Sequence, residues 1–138
     1  MQQKHTILVI DDDCTELDIM TNLLSTAGFR VLIAEDGQTG VNRAIFARPD
    51  LILLDVMMPG VDGYETCKQL RENKRTKDIP IFFKTCVGGE QAIIAGYRVG
   101  VDRFITKPCK LDRLLRLITC RLVSLQSNHL KTRLQALS

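Results

Sequence analysis

The chain has 138 residues, 45% of them hydrophobic, and a formal net charge of +3. This length and apolar content are sufficient for one packed domain. The basic residues are scattered, so the charge does not predict a nucleic-acid partner, and no segment approaches the roughly 20 apolar residues of a membrane-spanning helix.

The first residues, MQQKHTILVIDDD, lead directly into an acidic cluster and contain no signal-peptide core. We therefore expect a cytoplasmic protein that does not bind membranes. The five cysteines form an odd set without a C-x-x-C pair, which predicts neither a disulfide framework nor a zinc site.

Five short apolar segments predict β-strands that are covered on both faces. They are TILVI (6–10), RVLIA (30–34), LILL (51–54), PIFF (80–83) and RFIT (103–106). Five segments with helical periodicity follow these strands in turn. The first carries Leu17, Met20 and Leu24 and ends at Gly28; the second starts near Asp36, buries Val41, Ala44 and Ile45, and ends before Pro49; the third carries Tyr64, Cys67 and Leu70; the fourth covers roughly 89–99; the fifth begins near Leu111.

This alternation predicts an α/β fold, a doubly wound parallel five-stranded sheet between two helix layers. With the strand order 2-1-3-4-5, the first and third strands are neighbours, and a crevice opens at their carboxyl ends. Polar residues interrupt the apolar strands at that same edge. They are Asp11, Asp12 and Asp13 after the first strand, Asp55 after the third, Thr85 after the fourth and Lys107 after the fifth.

Such an arrangement brings the carboxylates of Asp11, Asp12 and Asp55 within a few ångströms of each other. Like charges about 4 Å apart repel by several kcal/mol at an effective dielectric of ~20, so a proton or a cation must compensate them. Magnesium suits oxygen ligands of this kind, and the backbone carbonyl of Met57 could supply another. Thr85 and Lys107 are donors suited to the oxygens of a phosphoryl group.

At these residues the chain resembles the receiver domain of two-component response regulators, a chemotaxis-regulator-like module with a flavodoxin-like fold. The resemblance is carried by ILVIDDD, LLDVMMPGVDG, the strand-end threonine and FITKP, and it covers residues 6 to about 120. It implies a Mg²⁺ cofactor and a role for each site residue. Asp55 would be the phosphoacceptor, Asp12 a direct metal ligand, Asp11 a ligand through water, Lys107 the partner of the phosphoryl oxygens, Thr85 the switch hydroxyl and Phe104 the aromatic switch residue.

The resemblance also implies the function and the partners. The phosphoryl donor would be a sensor histidine kinase or a histidine phosphotransfer protein, and the output would be a downstream domain or protein. The chain would be a signalling domain that catalyses only its own phosphotransfer and slow dephosphorylation. A phosphorylation-independent scaffold with the same fold is the main alternative. A flavodoxin-like electron carrier and a haloacid dehalogenase phosphatase fit the acidic residues less well.

Several positions depart from the usual pattern of this family. Lys84 replaces an apolar strand residue; we expect it to point away from Thr85 and either to reach solvent or to mark a partner surface. Cys86 and Cys109 are expected to be structural. Met57 and Val87 offer no group to orient water, which predicts a phosphoryl group that is not unusually short-lived.

The C-terminal segment is longer than the domain requires. Leucine and isoleucine recur with a 4-3-4-3 spacing that predicts one packed face, made of Leu111, Leu115, Ile118, Leu122 and Leu125. We assign residues 1–124 to the receiver and residues 125–138 to a helical extension or linker, similar to those that follow receivers in hybrid sensor proteins. The first half of the segment would cover the sheet, and the C-terminal face beyond about residue 124 could pair two copies as a homodimer.

Overall fold

A computed structural model of the chain describes residues 4–56, 63–85, 90–107 and 109–123. The expectations for Met57, Cys86, Val87 and the segment 125–138 lie outside the described residues.

The described residues form five strands and five helices in strict alternation. They are β1 (Thr6–Ile10), α1 (Cys14–Thr26), β2 (Arg30–Ala34), α2 (Gly37–Ala47), β3 (Leu51–Asp55), α3 (Gly63–Glu72), β4 (Ile81–Thr85), α4 (Glu90–Arg98), β5 (Arg103–Thr106) and α5, described over residues 111–123. All strand pairs are parallel, and the sheet order is β2-β1-β3-β4-β5. The predicted fold and strand order are confirmed.

Each face of the sheet has its own apolar core, because side chains alternate along a strand. On one face, Leu8, Leu54 and Phe83 pack with residues of α2 and α3. On the other face, Val9, Leu53 and Phe82 pack with residues of α1 and α5. The central strand β3 is buried along its whole length, which explains its nearly uninterrupted apolar sequence.

The first helix illustrates how local sequence sets the ends of an element. The Asp13 carboxylate accepts a hydrogen bond from the Thr15 N–H at 2.9 Å and so caps the amino end of α1. Gly28, at φ +99°, follows the last turn in a left-handed conformation that glycine adopts without strain. The predicted buried stripe of Leu17, Met20 and Leu24 is observed.

The sequence placed some boundaries and one helix face imperfectly. Strand β4 is Ile81–Thr85 rather than 80–83, because Lys84 and Thr85 continue the ladder although they are polar. In α5 the buried side chains are Leu114, Ile118 and Leu122, whereas Leu111 and Leu115 are half-buried. Positions four apart also share a helical stripe, so the spacing alone did not distinguish the two faces.

None of the helices within the described ranges is both long and apolar enough to cross a membrane.

A charged clamp holds α3, β4, β5 and α5 together at the amino edge of the sheet. The Asp102 carboxylate accepts hydrogen bonds from Arg71 Nη2 at 2.9 Å, Arg121 Nη2 at 3.0 Å and the Ile81 N–H at 2.8 Å. Arg71 also donates Nε to the Gly100 carbonyl at 2.9 Å. Hydrogen bonds to charged groups contribute more to stability than neutral ones do, so this clamp is a principal polar contribution to the fold.

We therefore expect Asp102→Ala to lower the free energy of unfolding by about 3 kcal/mol, because three donors lose their acceptor. Urea denaturation followed by far-UV circular dichroism measures this change. Asp78→Ala, which removes an exposed carboxylate, is the matched control and should change stability by less than about 0.5 kcal/mol. An equal decrease in the free energy of unfolding of the two variants would show that the hydrogen bonds to Asp102 do not stabilise the fold.

Candidate functional site

The first part of the site is the acidic turn after β1. The Asp11 side chain is buried, and one of its oxygens, Oδ1, accepts a hydrogen bond from the Asp13 N–H at 3.0 Å. The Asp11 N–H donates to the Ala34 carbonyl of β2 at 3.0 Å, which anchors the turn to the sheet. Asp12 is exposed beside it. Asp13 points to the helix amino end and caps it, so it belongs to the fold rather than to the site.

The second part of the site is the end of the central strand. Asp55 is the last residue of β3 and is only 5% exposed. One oxygen each of Asp11, Asp12 and Asp55 lies within 4.8 Å of the others. The crossover topology accounts for this, since β1 and β3 are adjacent although their ends are more than 40 residues apart.

The third part is the lysine after β5. Lys107 Nζ lies 3.1 Å from Asp55 Oδ2, while the Lys107 N–H donates to the Thr85 carbonyl at 2.8 Å. Burial disfavours the charged ammonium, but the hydrogen bond to Asp55 and the negative charges of Asp55, Asp11 and Glu16 outweigh burial and raise the pKa of Lys107. The lysine is therefore a fixed positive charge beside the Asp55 carboxylate.

Thr85 and Phe104 lie at the end of β4 and within β5. Thr85 is buried and is the last residue of its strand. The Phe104 ring is half-buried and makes edge contacts with the rings of Phe83 and Tyr97, with centroid distances of 5.6 and 5.4 Å. A Cβ atom added to Gly96 of α4 would lie 2.2 Å from Phe104 Cζ, so the ring occupies space that only glycine leaves open.

The donor set fits a divalent cation. Within the described ranges, Asp11 Oδ2 is buried without a hydrogen-bond partner, which is costly unless a ligand satisfies it. The pKa of Asp11 is raised to about 6, and burial is the largest cause. The hydrogen bond from the Asp13 N–H lowers this pKa, and the negative charge of Asp55 raises it. The positive charges of Lys107 and Lys84 also lower it. Three carboxylates that converge on a hard cation are typical of magnesium and calcium sites.

Lys84 departs from the expectation that it reaches solvent. Its side chain is only 8% exposed, and its Nζ lies 3.5 Å from Glu16 Oε2 on α1. Sequence reasoning did not identify Glu16 as part of this region. The signal was a lysine in an apolar strand, which requires an acidic partner. Glu16 and Asp18 both lie on α1, and the sequence did not distinguish them.

The raised pKa of Asp11 has a consequence for metal-free protein. Its carboxyl titrates near pH 6 in the folded state but near its ordinary value of 3.8 in the unfolded chain. Between these values the folded state binds more protons, so the free energy of unfolding falls as the pH rises from about 4 to about 6. The loss should be about 1–2 kcal/mol, since solvent near the open site moderates it.

We expect Asp11→Asn to remove this decline and to be more stable than the unsubstituted chain above about pH 7. Urea denaturation in a chelator over a pH series measures the effect. Asp18→Asn, at an exposed position of α1, is the control. Parallel pH profiles for Asp11→Asn and the unsubstituted chain would show that burial of Asp11 does not shift its pKa.

Comparison with known proteins agrees with this geometry. The response regulator receiver domain family model matches residues 7–119. The DNA-binding dual master transcriptional regulator RpaA of Synechocystis sp. is 42% identical over 109 residues, which are 79% of this chain and 45% of that protein. Protein PilH of Pseudomonas aeruginosa is 37% identical over 112 residues, which are 81% of this chain and 93% of that protein.

A solved structure gives the same result. The receiver domain of the sensor histidine kinase PA1611 from Pseudomonas aeruginosa PAO1, with a magnesium ion coordinated in its active-site cleft, has a TM-score of 0.80 and 25% identity, and the match covers 87% of this chain and 98% of that one. This chain spans about half the length of several of the curated relatives it matches, RpaA among them. Its match to the family model and its identity to PilH show that the chain belongs to the response regulator receiver domain family.

Proposed function

We propose that this receiver domain accepts a phosphoryl group on Asp55 in a magnesium-dependent reaction and acts in a two-component phosphorelay. The observation that carries this proposal is the position of the Asp55 carboxylate. It is buried at the end of β3, lies 3.1 Å from Lys107 Nζ, and is within 4.8 Å of carboxylate oxygens of Asp11 and Asp12.

The chain's own residues have separate tasks in this reaction. One Asp55 oxygen attacks the phosphorus of a phosphohistidine; the new P–O bond forms as the P–N bond breaks, and the leaving imidazole takes up a proton. Lys107 holds positive charge at Asp55 Oδ2, where the acyl phosphate forms. Asp12, Asp11 and Asp55, with the Met57 carbonyl, would hold magnesium, which neutralises charge on the phosphoryl oxygens when bound.

We also propose that Thr85 and Phe104 are the switch residues. Thr85 ends β4 next to β5, and its carbonyl accepts the N–H of Lys107, so the phosphoryl-binding lysine and the threonine are directly connected. Phe104 packs against α4 through Gly96 and Tyr97. A hydroxyl drawn toward a phosphoryl group would change the space available to this ring, and such a difference between two states is what a switch requires.

The partners follow from the family. We propose that the phosphoryl donor is a sensor histidine kinase or a histidine phosphotransfer protein, and that the output is a downstream domain or protein. Relatives named as transcriptional regulators support an output of this kind. We place the protein in the cytoplasm, where such donors present their phosphohistidine, and we assign residues 125–138 to a helical extension or linker after a receiver that ends near residue 124.

The proposed acceptor can be tested directly. After incubation with phosphoramidate and Mg²⁺, the unsubstituted chain should gain the mass of one phosphoryl group in intact mass spectrometry. Asp55→Asn should gain none, because an amide is not a nucleophile toward phosphorus. Asp18→Asn, which alters an exposed carboxylate of α1, is the matched control and should react normally. A folded, unsubstituted chain that gains no mass would favour the scaffold alternative.

The contact between Phe104 and α4, on which the switch proposal depends, can be tested through Gly96. We expect Gly96→Ala to displace the Phe104 ring, because the added methyl group would overlap its Cζ atom. The aromatic NMR resonances of Phe104 and Tyr97 in the unphosphorylated chain should shift. Ala95→Ser, at an exposed position of the same helix, should leave them unchanged. Unaltered Phe104 resonances in Gly96→Ala would show that the ring does not rest on α4.

A further inference from the structure

A second buried lysine lies next to the phosphorylation site. In β4, Phe82 packs in the core beside α1 and α5, and alternation along the strand places the Lys84 side chain on that same face. Lys84 is the cross-strand partner of Asp55 in the β3–β4 ladder, so the two side chains leave adjacent strands side by side. The lysine and the proposed nucleophile therefore occupy neighbouring positions in the sheet.

The charge of Lys84 reaches the acidic cluster. Lys84 stands beside Asp55 in the β3–β4 ladder, and Glu16 lies in the first turn of α1, directly after the acidic turn that contains Asp11. The Lys84–Glu16 ion pair is thus electrostatically coupled to the site and is not an isolated structural pair. Its two members have opposite effects on any cation that approaches Asp11.

Lys84 makes its hydrogen bond to Glu16, with Nζ and Oε2 3.5 Å apart. In the part of the chain that the structure describes, Asp11 Oδ2 has no hydrogen-bond partner. Glu16 therefore holds the ammonium while an oxygen of the metal cluster stays open. Without Glu16, the buried ammonium would be drawn to the carboxylates of the acidic cluster, since an unpaired buried charge is costly.

We propose that the Lys84–Glu16 pair sets the affinity of the acidic cluster for Mg²⁺, a role that rests on the proposed function of that cluster. Lys84 weakens binding because its positive charge, on the strand next to that of Asp55, repels the ion. Glu16 opposes this effect, because it offsets the charge of Lys84 and keeps the ammonium off Asp11. Both are positioning residues, and neither is proposed to contact the ion.

Isothermal titration of the full chain with MgCl₂, at about pH 8 so that the carboxylates are ionised, tests this assignment. Lys84→Met should lower the Kd for Mg²⁺ by about tenfold, the effect of removing one nearby unit charge at a protein-like dielectric. Glu16→Gln should raise it. In the Lys84→Met background, Glu16→Gln should have a much smaller effect, because no ammonium is left for Glu16 to hold.

Two further variants separate this role from packing and from net charge. Lys84→Arg keeps the positive charge and should keep the Kd of the unsubstituted chain. If Lys84 only filled space in the core, Lys84→Met would keep that Kd as well. Lys77→Met removes one exposed positive charge from the segment before β4, at the other edge of the sheet, and should change the Kd by less than about twofold. Thermal denaturation in a chelator confirms that each variant is folded.

The outcomes are distinct. A folded Lys84→Met with an unchanged Kd, or Lys77→Met with the same gain in affinity, would overturn the assignment and leave the proposed function intact. An unsubstituted chain that binds no Mg²⁺ would overturn both. If Lys84→Met does not fold, Glu16→Gln decides alone, because the Glu16 side chain is 38% exposed and glutamine has the same shape. An unchanged Kd in that variant overturns the assignment.

Discussion

Two carboxylates, Asp11 and Asp55, are buried side by side at the carboxyl edge of one sheet, and their mutual repulsion must be compensated for the domain to fold around them. Lys107 supplies part of this compensation through its contact with Asp55. Because β3 is covered on both faces, Asp55 cannot turn away into solvent. Burial raises the free energy of the charged carboxylates. It also strengthens the interaction of each carboxylate with other charges, since screening by water is reduced.

The formal charges of this region show how far the chain compensates itself. Asp11, Asp12, Glu16 and Asp55 carry four negative charges, and Lys84 and Lys107 carry two positive ones, which leaves a formal charge of −2. A single divalent cation would neutralise that remainder. Lys84 and Glu16 contribute no net charge together, so their effect depends on which of the two lies nearer to the acidic cluster, and that is a matter of geometry alone.

The opposite edge of the sheet has a different design. There both oxygens of Asp102 accept hydrogen bonds, from two arginines and from the first amide of β4. One edge thus holds a carboxylate that is paired at both oxygens, while at the other edge, within the described residues, Asp11 has an oxygen without a partner. Receiver function requires this asymmetry, because a site that is already satisfied would gain little from binding a metal or a phosphoryl group.

The sequence by itself determined the class of fold and, once the flavodoxin-like strand order 2-1-3-4-5 was adopted, the residues that meet at the carboxyl edge. Short apolar runs that alternate with segments of helical periodicity predict a parallel sheet, whose strands end at one edge. This is why Asp11, Asp12, Asp55 and Lys107 could be grouped although about 95 residues separate the first from the last. The prediction that all five strands are covered on both faces is wrong for the edge strands β2 and β5, which are partly exposed.

Only the tertiary structure decided which of several equivalent side chains are in contact. It selected Glu16 as the partner of Lys84, Leu114 rather than Leu111 as a buried residue of α5, and Gly96 as the surface beneath the Phe104 ring. It also joined Arg71, Asp102 and Arg121, which no local pattern connects. Periodicity along a chain determines which face a residue occupies, but the packing of helices against the sheet determines what that face touches.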